Sequence, residues 1–194
     1  MNHAISFGGA QAAQPPDADI LASIASGSLT GLALLFDRYA LDVRRFVARL
    51  GVAPGDVDDI VQATFLLVVN AARSFRGSGP ARAWLFGLAT NAVRRHRRSL
   101  ARMTARATAW AREWIGDGPP TPHDSLENLE RLERGARALA RLSPKKREVF
   151  VLVVMEGVPA EAAAESLAVP IGTVWTRLHH ARRALREYLE EASS

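Results

Sequence analysis

Hydrogen-bonding and basic side chains recur near the C-terminus at intervals that suit one side of a helix. They are Thr173, Thr176, Arg177 and His180. Side chains three and four residues apart are neighbours on a helical surface. These residue types bind base edges in the major groove, where an arginine can hold a guanine through two hydrogen bonds. The pattern predicts sequence-specific contact with double-stranded DNA. The alternative is an amphipathic helix whose polar face meets only water.

The same segment contains further residues suited to DNA, and an apolar stripe suited to protein. Arg182 and Arg183 can bind phosphates, while the indole of Trp175 fits either a DNA contact or the protein core. Val174 and Leu178 lie four residues apart and begin a stripe that should pack against the preceding helices. The predicted helix therefore has one side for the protein and one side for a ligand.

The residues before this helix have the layout of a helix-turn-helix. Ser143 and Pro144 mark a helix start, and Gly157 with Pro159 marks a stop. An alanine-rich segment at 160–167 then predicts a short helix, separated from the basic one by a few turn residues. In such motifs the N-terminal part of the second helix enters the major groove.

A second basic segment lies in the middle of the chain. From Val61 to Arg112 the sequence has 52 residues with ten arginines and no carboxylate, although the whole chain carries a net charge of only +5. This asymmetry predicts a surface for a polyanion, and a solvated helix face is the alternative. Four arginines of one short run would bind phosphates: Arg94, Arg95, Arg97 and Arg98.

Aromatic residues lie beside this basic segment, close to the glycine-rich stretch at 77–80. Phe75, Trp84 and Phe86 can stack with unpaired bases. The alternative is that they belong to the protein core, which is the commoner place for such residues.

Composition excludes several classes of protein. The 194 residues include no cysteine, which rules out disulfides, thiol catalysis and cysteine-ligated zinc. The five histidines lack metal-binding spacing and no catalytic constellation stands out, so we expect no enzyme, no metal and no cofactor. No apolar stretch is long enough to cross a bilayer and no signal peptide is recognisable, which predicts a cytoplasmic protein without membrane insertion.

Helical periodicity dominates the chain, and strand signals are almost absent. We therefore predict an all-α fold of two helical domains joined by a flexible linker. The predicted divisions are a disordered tail at 1–16, a first domain at 17–103, a linker at 104–134 and a helix-turn-helix domain at 135–194.

The first domain shows four stretches of helical spacing. These predict helices at 19–26, 29–50 and 54–73, and another from 81 onward. Asp17 is the expected cap of the first. In the second domain the β-branched run at 149–154 is predicted to be a buried helix rather than a strand.

Taken in order, these segments resemble the extracytoplasmic-function (ECF) type of bacterial RNA polymerase sigma factor. Phe36-Asp37-Arg38-Tyr39 resembles the start of the family's region 2, and Asp58-Asp59-Ile60-Val61-Gln62-Ala63-Thr64-Phe65 resembles its acidic helix. In the family this helix binds the clamp helices of the polymerase β′ subunit. The resemblance implies that core RNA polymerase, through its β′ clamp helices and β subunit, is bound by Asp58, Asp59, Gln62 and Phe65.

A second part of the resemblance concerns the −10 promoter element. Phe75-Arg76-Gly77, with Trp84-Leu85 and Asn91, resembles the element that opens this sequence and holds its non-template strand with one base flipped into a pocket. The implied −10 residues are Phe75, Arg76, Gly77, Trp84, Asn91, Arg94, Arg95, Arg97 and Arg98.

The C-terminal motifs resemble the family's region 4, which reads the −35 element. They are Leu142-Ser143-Pro144, Arg147-Glu148-Val149-Phe150, Glu156-Gly157 and Gly172-Thr173-Val174. The resemblance implies an alternative sigma factor that directs promoter-specific initiation, with core RNA polymerase, promoter DNA and an anti-sigma factor as partners. The implied −35 residues are Thr173, Trp175, Thr176, Arg177, His180, Arg182 and Arg183.

Two other interpretations remain open from the residues alone. A helix-turn-helix repressor or activator that binds duplex DNA without being a polymerase subunit explains the C-terminal half, but it leaves the helix with Asp59 and Gln62 without a role. A helical module whose basic face binds RNA or an acidic protein would show no preference for a duplex sequence.

Overall fold

The computed structural model of the protein describes residues 15–75, 79–107 and 126–191, without side chains at 103–107 and 126–132. Over these residues the chain is helical and contains no strand, which confirms the predicted all-α class. The helices are α1 (Asp17–Ala25), α2 (Leu29–Arg49), α3 (Val57–Ala71), α4 (Ala81–Ala107), α5 (Leu126–Arg141), α6 (Pro144–Phe150), α7 (Ala160–Leu167) and α8 (Ile171–Glu191).

Helices α1 to α4 form a bundle around one apolar core. α2 packs on α1, α3 and α4, and α3 packs on α4. Phe46 on α2 and Phe86 on α4 are fully buried and stack with ring centroids 4.3 Å apart. The expectation that Phe86 is available to an unpaired base is therefore wrong, because its ring is part of the core. The helix predicted at 54–73 is divided, because Pro54–Asp56 and Ala72–Ser74 are short 3-10 segments on either side of α3.

Local sequence sets the ends of α1 and α2. The backbone N–H of Gly31 donates to Ser28 Oγ at 3.1 Å, so Ser28 caps the N-terminus of α2. Gly27 and Gly51 follow the two helices with φ of +97° and +79°. Glycine adopts this left-handed region without the steric cost that a Cβ would bring, and the chain can turn sharply at both points.

The expectation that Asp17 caps a helix beginning at residue 19 is wrong. α1 begins at Asp17 itself and its N-cap is Pro16. The Asp17 carboxylate instead bonds to α2, where it accepts hydrogen bonds from Arg38 and from the Tyr39 hydroxyl. Burial, together with the hydrogen bond to Asp17, raises the pKa of Tyr39 to about 12. The acidic residue therefore joins two helices and does not cap one.

Helices α5 to α8 form the C-terminal unit, in which α8 packs on α5, α6 and α7. The β-branched run is helical, as predicted: α6 ends at Phe150 and continues as one π-helical turn at Val151–Met155. Val149, Val151 and Leu152 are fully buried there, whereas Val154 is exposed. α8 packs on the α6 part of this stretch, where Val149 lies.

The predicted linker at 104–134 is helical at both of its described ends. α4 extends to Ala107 and α5 starts at Leu126. The residues between them, and residues 1–14 of the predicted tail, lie outside the described part of the chain. The sequence also predicts that a helix resumes near Leu126, within the assigned linker, and α5 begins at that residue.

We predict that Phe46→Ala lowers the free energy of unfolding by about 3–5 kcal/mol, because it removes a buried aromatic ring and leaves a cavity against Phe86. Leu41→Ala on the same helix is the matched control. Leu41 is 57 % exposed, and a surface change of this kind alters stability by about 0.5 kcal/mol or less. Urea unfolding followed by circular dichroism measures both, and equal losses would contradict the core packing described above.

Candidate nucleic-acid interface

α7, a tight turn and α8 make the predicted helix-turn-helix. Ala168 ends α7 in the left-handed region with φ +53°, and the N–H of Val169 donates to the carbonyl of Ala164 at 3.0 Å, which closes the turn. On α8, Val174 and Leu178 are buried against the unit. The opposite side of α8 is therefore the one presented to solvent.

Most of the predicted −35 residues lie on that exposed side. The indole of Trp175 is 51 % exposed, so Trp175 does not belong to the core. Thr173 is half-buried near the start of α8. The remaining exposed members of the set are Thr176, His180, Arg182 and Arg183.

Three of these side chains already have a defined local environment. The Thr176 hydroxyl donates to the carbonyl of Gly172 at 2.8 Å, and Arg183 Nε donates to Glu187 at 2.8 Å. Arg177 is half-buried, and its Nη1 is one of two buried side-chain nitrogens in the described residues that lack a hydrogen-bond partner. An unsatisfied guanidinium nitrogen is unfavourable, so Arg177 would gain a hydrogen bond by reaching an external acceptor.

The arginine run on α4 is divided between two directions. Arg95 and Arg98 are exposed. Arg94 is half-buried and binds Glu148 of α6, with Nη2 2.6 Å from one carboxylate oxygen and Nε 3.1 Å from the other. Arg97 donates to the backbone carbonyl of Leu50. Only two of the four predicted phosphate ligands therefore point to solvent in this arrangement.

Phe75 and Trp84 line one cleft together with Asn91. The two rings meet edge to face with centroids 5.4 Å apart, both are half-buried, and Asn91 is exposed. The cleft has a volume of about 360 Å³, and its far wall is formed by α7 residues, Glu165 and Ser166 among them. Arg76 and Gly77, which complete the predicted −10 set, lie outside the described residues.

The acidic start of α3 forms a separate exposed face. Asp58, Asp59 and Gln62 are all exposed, and Asp58 pairs with Arg44 of α2. Phe65 is only 4 % exposed and its ring centroid lies 4.8 Å from that of Phe36. It shapes this face from below but offers almost no surface to a partner.

Two apolar residues on this face were missed by the sequence analysis. Leu66 is 61 % exposed and Val69 is 44 % exposed. Both fall in a helix that also carries five buried apolar residues, so composition alone gives no reason to separate them from the core. The five are Val57, Ile60, Val61, Phe65 and Val68. Their four-and-seven-residue spacing from Gln62 was the available signal, because it places them on the same side of the helix.

The sequence analysis also missed a contact between the two helical units. α4 packs against α7, and Arg82 of α4 binds Glu156, with Nη2 2.5 Å from the carboxylate and Nη1 3.0 Å from the carbonyl oxygen. Arg82 Nε also donates to Asp42 at 2.9 Å. Burial lowers the pKa of Arg82, but its bonds to Asp42 and Glu156 outweigh that effect and the net shift is upward. No local spacing pattern predicts a pair 74 residues apart.

The described residues contain no cluster of three or more histidine, aspartate or glutamate side chains placed to hold a metal ion. Among the described helices, none combines the length and apolar character needed to cross a bilayer. The candidate surfaces in this part of the chain are the basic helix α8, the cleft at Phe75 and Trp84, and the acidic face of α3 with its apolar neighbours.

Comparison with known proteins places both helical units in one family. The family model for sigma-70 region 2 matches residues 35–103, and the model for sigma-70 region 4 matches residues 133–185. The RNA polymerase sigma factor CnrH of Cupriavidus metallidurans is 31 % identical over 193 residues, which cover 92 % of this chain and 98 % of that protein.

Two further relatives agree. The ECF RNA polymerase sigma factor SigC of Mycobacterium tuberculosis is 33 % identical over 164 residues, covering 84 % of this chain and 85 % of SigC. Among solved structures, the sigma factor RpoE in complex with the anti-sigma factor NepR from Bartonella quintana matches with a TM-score of 0.65 and 26 % identity, covering 80 % of this chain and 94 % of that one. With both regions matched in order along one chain, the protein belongs to the sigma-70 family of RNA polymerase sigma factors, and within it to the ECF type.

Proposed function

We propose that this alternative sigma factor divides promoter recognition between its two helical units. The first unit, assigned to residues 17–103, binds core RNA polymerase and captures the −10 element. The second, assigned to residues 135–194, binds the −35 element. The observation that carries the proposal is the order of the two matched regions in one chain, with α8 exposed at the end of region 4. The alternative of a repressor or activator outside the polymerase has no support, because the family match extends over the N-terminal unit.

The proposed polymerase contact is the exposed face of α3. Asp59 and Gln62 lie three residues apart on solvent-exposed positions, and Leu66 and Val69 add exposed apolar surface on the same side. Apolar residues beside polar ones are a common composition for a protein interface. Asp58 is part of the same proposed contact. It forms an ion pair with Arg44, but both side chains are exposed, so water screens the pair and it adds little stability.

The proposed −10 site is the cleft between Phe75, Trp84 and Asn91. A half-buried aromatic pair offers stacking surface to a base that has left the duplex, and Asn91 can form hydrogen bonds with a base edge. Arg95 and Arg98, exposed on the same helix, can neutralise phosphates of the strand. Arg76 and Gly77 are included in the proposed −10 site because of the sequence resemblance.

The proposed −35 site is the exposed side of α8. Thr173, Trp175, Thr176, Arg177 and His180 occupy the first three turns, which is the part of a recognition helix that meets base edges. Arg182 and Arg183 follow within the next turn, where they suit the phosphate backbone. Arg177 is the residue proposed to read a guanine.

We also propose regulation by an anti-sigma factor, on the strength of the relative that was solved with NepR bound. The proposed location is the cytoplasm, where the polymerase acts. The chain is proposed to work by binding alone: it supplies promoter specificity, and the polymerase carries out catalysis without a cofactor from this subunit.

The first test concerns the polymerase face. We expect Asp59→Ala combined with Gln62→Ala to weaken binding of the full chain to core RNA polymerase about tenfold or more, because polar contacts at the centre of an interface are costly to remove. Run-off transcription from the chain's own upstream DNA should fall in parallel. Asp19→Ala, an exposed aspartate on α1, makes the same charge change and should have no effect. Equal losses of polymerase binding in the two variants would contradict the proposal that α3 contacts the polymerase.

The second test concerns the −35 reader. Duplexes selected from a random pool by the polymerase complex provide the preferred sequence. Arg177→Ala should lower the preference for that sequence over a scrambled duplex by about 1–3 kcal/mol, since one bidentate contact to a base is lost. Arg137→Ala on α5 is the control of equal charge. A uniform loss on all duplexes would make Arg177 a phosphate ligand.

The third test concerns the exposed arginines of α4. Arg95→Ala with Arg98→Ala should lower the dependence of promoter-complex formation on salt by about two units in the log–log slope, because two phosphate contacts are removed. Arg45→Ala with Arg137→Ala removes the same charge from other exposed positions. An unchanged slope in the first pair would place Arg95 and Arg98 away from DNA.

A further inference from the structure

The first turns of α8 carry almost no permanent charge. Between Ile171 and His180 the sequence has one arginine, Arg177, and no lysine, aspartate or glutamate. Arg177 is half-buried, and the other arginines of this helix begin at Arg182. Base edges near the start of the helix would therefore meet mainly uncharged side chains, and the chemistry of those side chains decides which bases they can read.

Two of the uncharged residues form an exposed apolar ridge, Ile171 and Trp175. They are 41 % and 51 % exposed, and they lie four residues apart, which places them on the same side of the helix. Val174 and Leu178 fill the buried side of α8, so the packing of the unit does not need the ridge. A tryptophan brings a large apolar area to a contact and is among the residues that most often dominate a binding interface. The ridge is therefore a surface suited to a ligand with apolar groups.

Thr176, beside the ridge, offers a methyl group rather than a hydrogen-bond donor. Its hydroxyl proton is used within the helix, in the bond to the carbonyl of Gly172 at 2.8 Å. Gly172 lies one turn earlier on the same side and has no side chain to cover Thr176, which is exposed. With the donor engaged, the groups left for a ligand are the methyl group and the remaining acceptor capacity of the oxygen.

The major groove of DNA presents one methyl group, the C5-methyl group of thymine. Apolar side chains and the methyl group of threonine are its usual partners in protein–DNA contacts. Adenine, guanine and cytosine present hydrogen-bonding groups there instead. An uncharged face with an exposed indole and a threonine methyl group therefore favours thymine among the four bases.

We propose that the start of α8 reads thymine methyl groups in the −35 element. Trp175 and Thr176 are the principal contacting residues, and Ile171 extends the apolar contact toward the N-terminus of the helix. This inference rests on the proposed function, because it takes α8 as the −35 reader. It names the chemical group that is read, and it adds Ile171 to the residues that read it.

The spacing along the helix limits where the thymine lies. An α-helix rises about 1.5 Å per residue, so Trp175 and Arg177 are about 3 Å apart along its axis. This distance is close to one base-pair step of about 3.4 Å. The thymine is therefore expected within about two base pairs of the guanine proposed for Arg177.

The test uses the polymerase complex of the full chain and the promoter duplexes that it selects from a random pool. Each thymine of the selected −35 element is replaced in turn by deoxyuridine, which removes the C5-methyl group and keeps the base pair. We expect one or two of these replacements to weaken promoter binding about three- to fivefold, the size that follows from one methyl group leaving an apolar contact. The sensitive thymines should lie within about two base pairs of a selected guanine.

Variants of the chain identify the partner of each methyl group. Thr176→Ser keeps the hydroxyl that bonds to Gly172 and removes only the methyl group, while Trp175→Ala and Ile171→Ala each remove one member of the ridge. Deoxyuridine at a sensitive position should cost nothing further in the variant that has lost its partner. This loss of additivity is the coupling that a double-mutant cycle measures.

Two control variants make similar changes away from α8. Thr30→Ser, at an exposed position of α2, removes the same methyl group as Thr176→Ser. Leu41→Ala removes an apolar side chain that is also exposed. Both controls should retain the full sensitivity to deoxyuridine, and circular dichroism should show unchanged helix content in every variant.

The outcomes separate this inference from the proposed function. A selected −35 element without a thymine on either strand overturns the inference. So does deoxyuridine without effect at every position, or an effect of equal size in the unaltered chain and in all three α8 variants. An equal loss on all duplexes in Trp175→Ala would place the indole on the sugar–phosphate backbone and overturn its role as a base reader. A chain that fails to bind core polymerase, or a polymerase complex that selects no −35 sequence, contradicts the proposed function itself, and this failure appears before any thymine is replaced.

Discussion

Phe86 and Gly87 are adjacent on α4 and have different partners. Phe86 stacks on Phe46 in the N-terminal core, while Gly87 lies against Ser166 of α7. One helix is therefore both the central wall of the first bundle and the surface on which the second unit rests. Successive residues of a helix are rotated by about 100°, so neighbouring positions can serve these two purposes. The cleft, the basic run and the contact between the units all depend on how α4 is held.

The packing of α4 also determines which charged residues form ion pairs. The sequence separates an acid-free, arginine-rich segment from acidic flanks. In the fold, two flanking carboxylates, Glu148 and Glu156, return to that segment and pair with Arg94 and Arg82. Removing one partner from a buried ion pair leaves an uncompensated charge, which is strongly unfavourable. These pairs therefore oppose separation of the two helical units.

The recognition helix shows which structural features helical periodicity can predict and which it cannot. The apolar spacing of Val174 and Leu178 predicted the buried side of α8, and both are buried. It also predicted which residues face outward, and Trp175, left open by the sequence, is exposed. Periodicity says nothing about hydrogen bonds, however. That Thr176 bonds to Gly172 and that Arg177 keeps a buried nitrogen without a partner follow from distances in the folded chain.

The sequence by itself determined the all-α class, most helix bounds and the family, because these depend on local spacing and on short motifs such as Asp58 to Phe65. It misplaced the role of Asp17, whose carboxylate has a better partner in Arg38 and Tyr39 than in its own helix end. Only the tertiary structure decided which arginines of one run face water and which meet Glu148 or Leu50. The physical reason is that helical periodicity is a property of neighbours in the chain, whereas an ion pair between residues 54 positions apart depends on how whole helices pack.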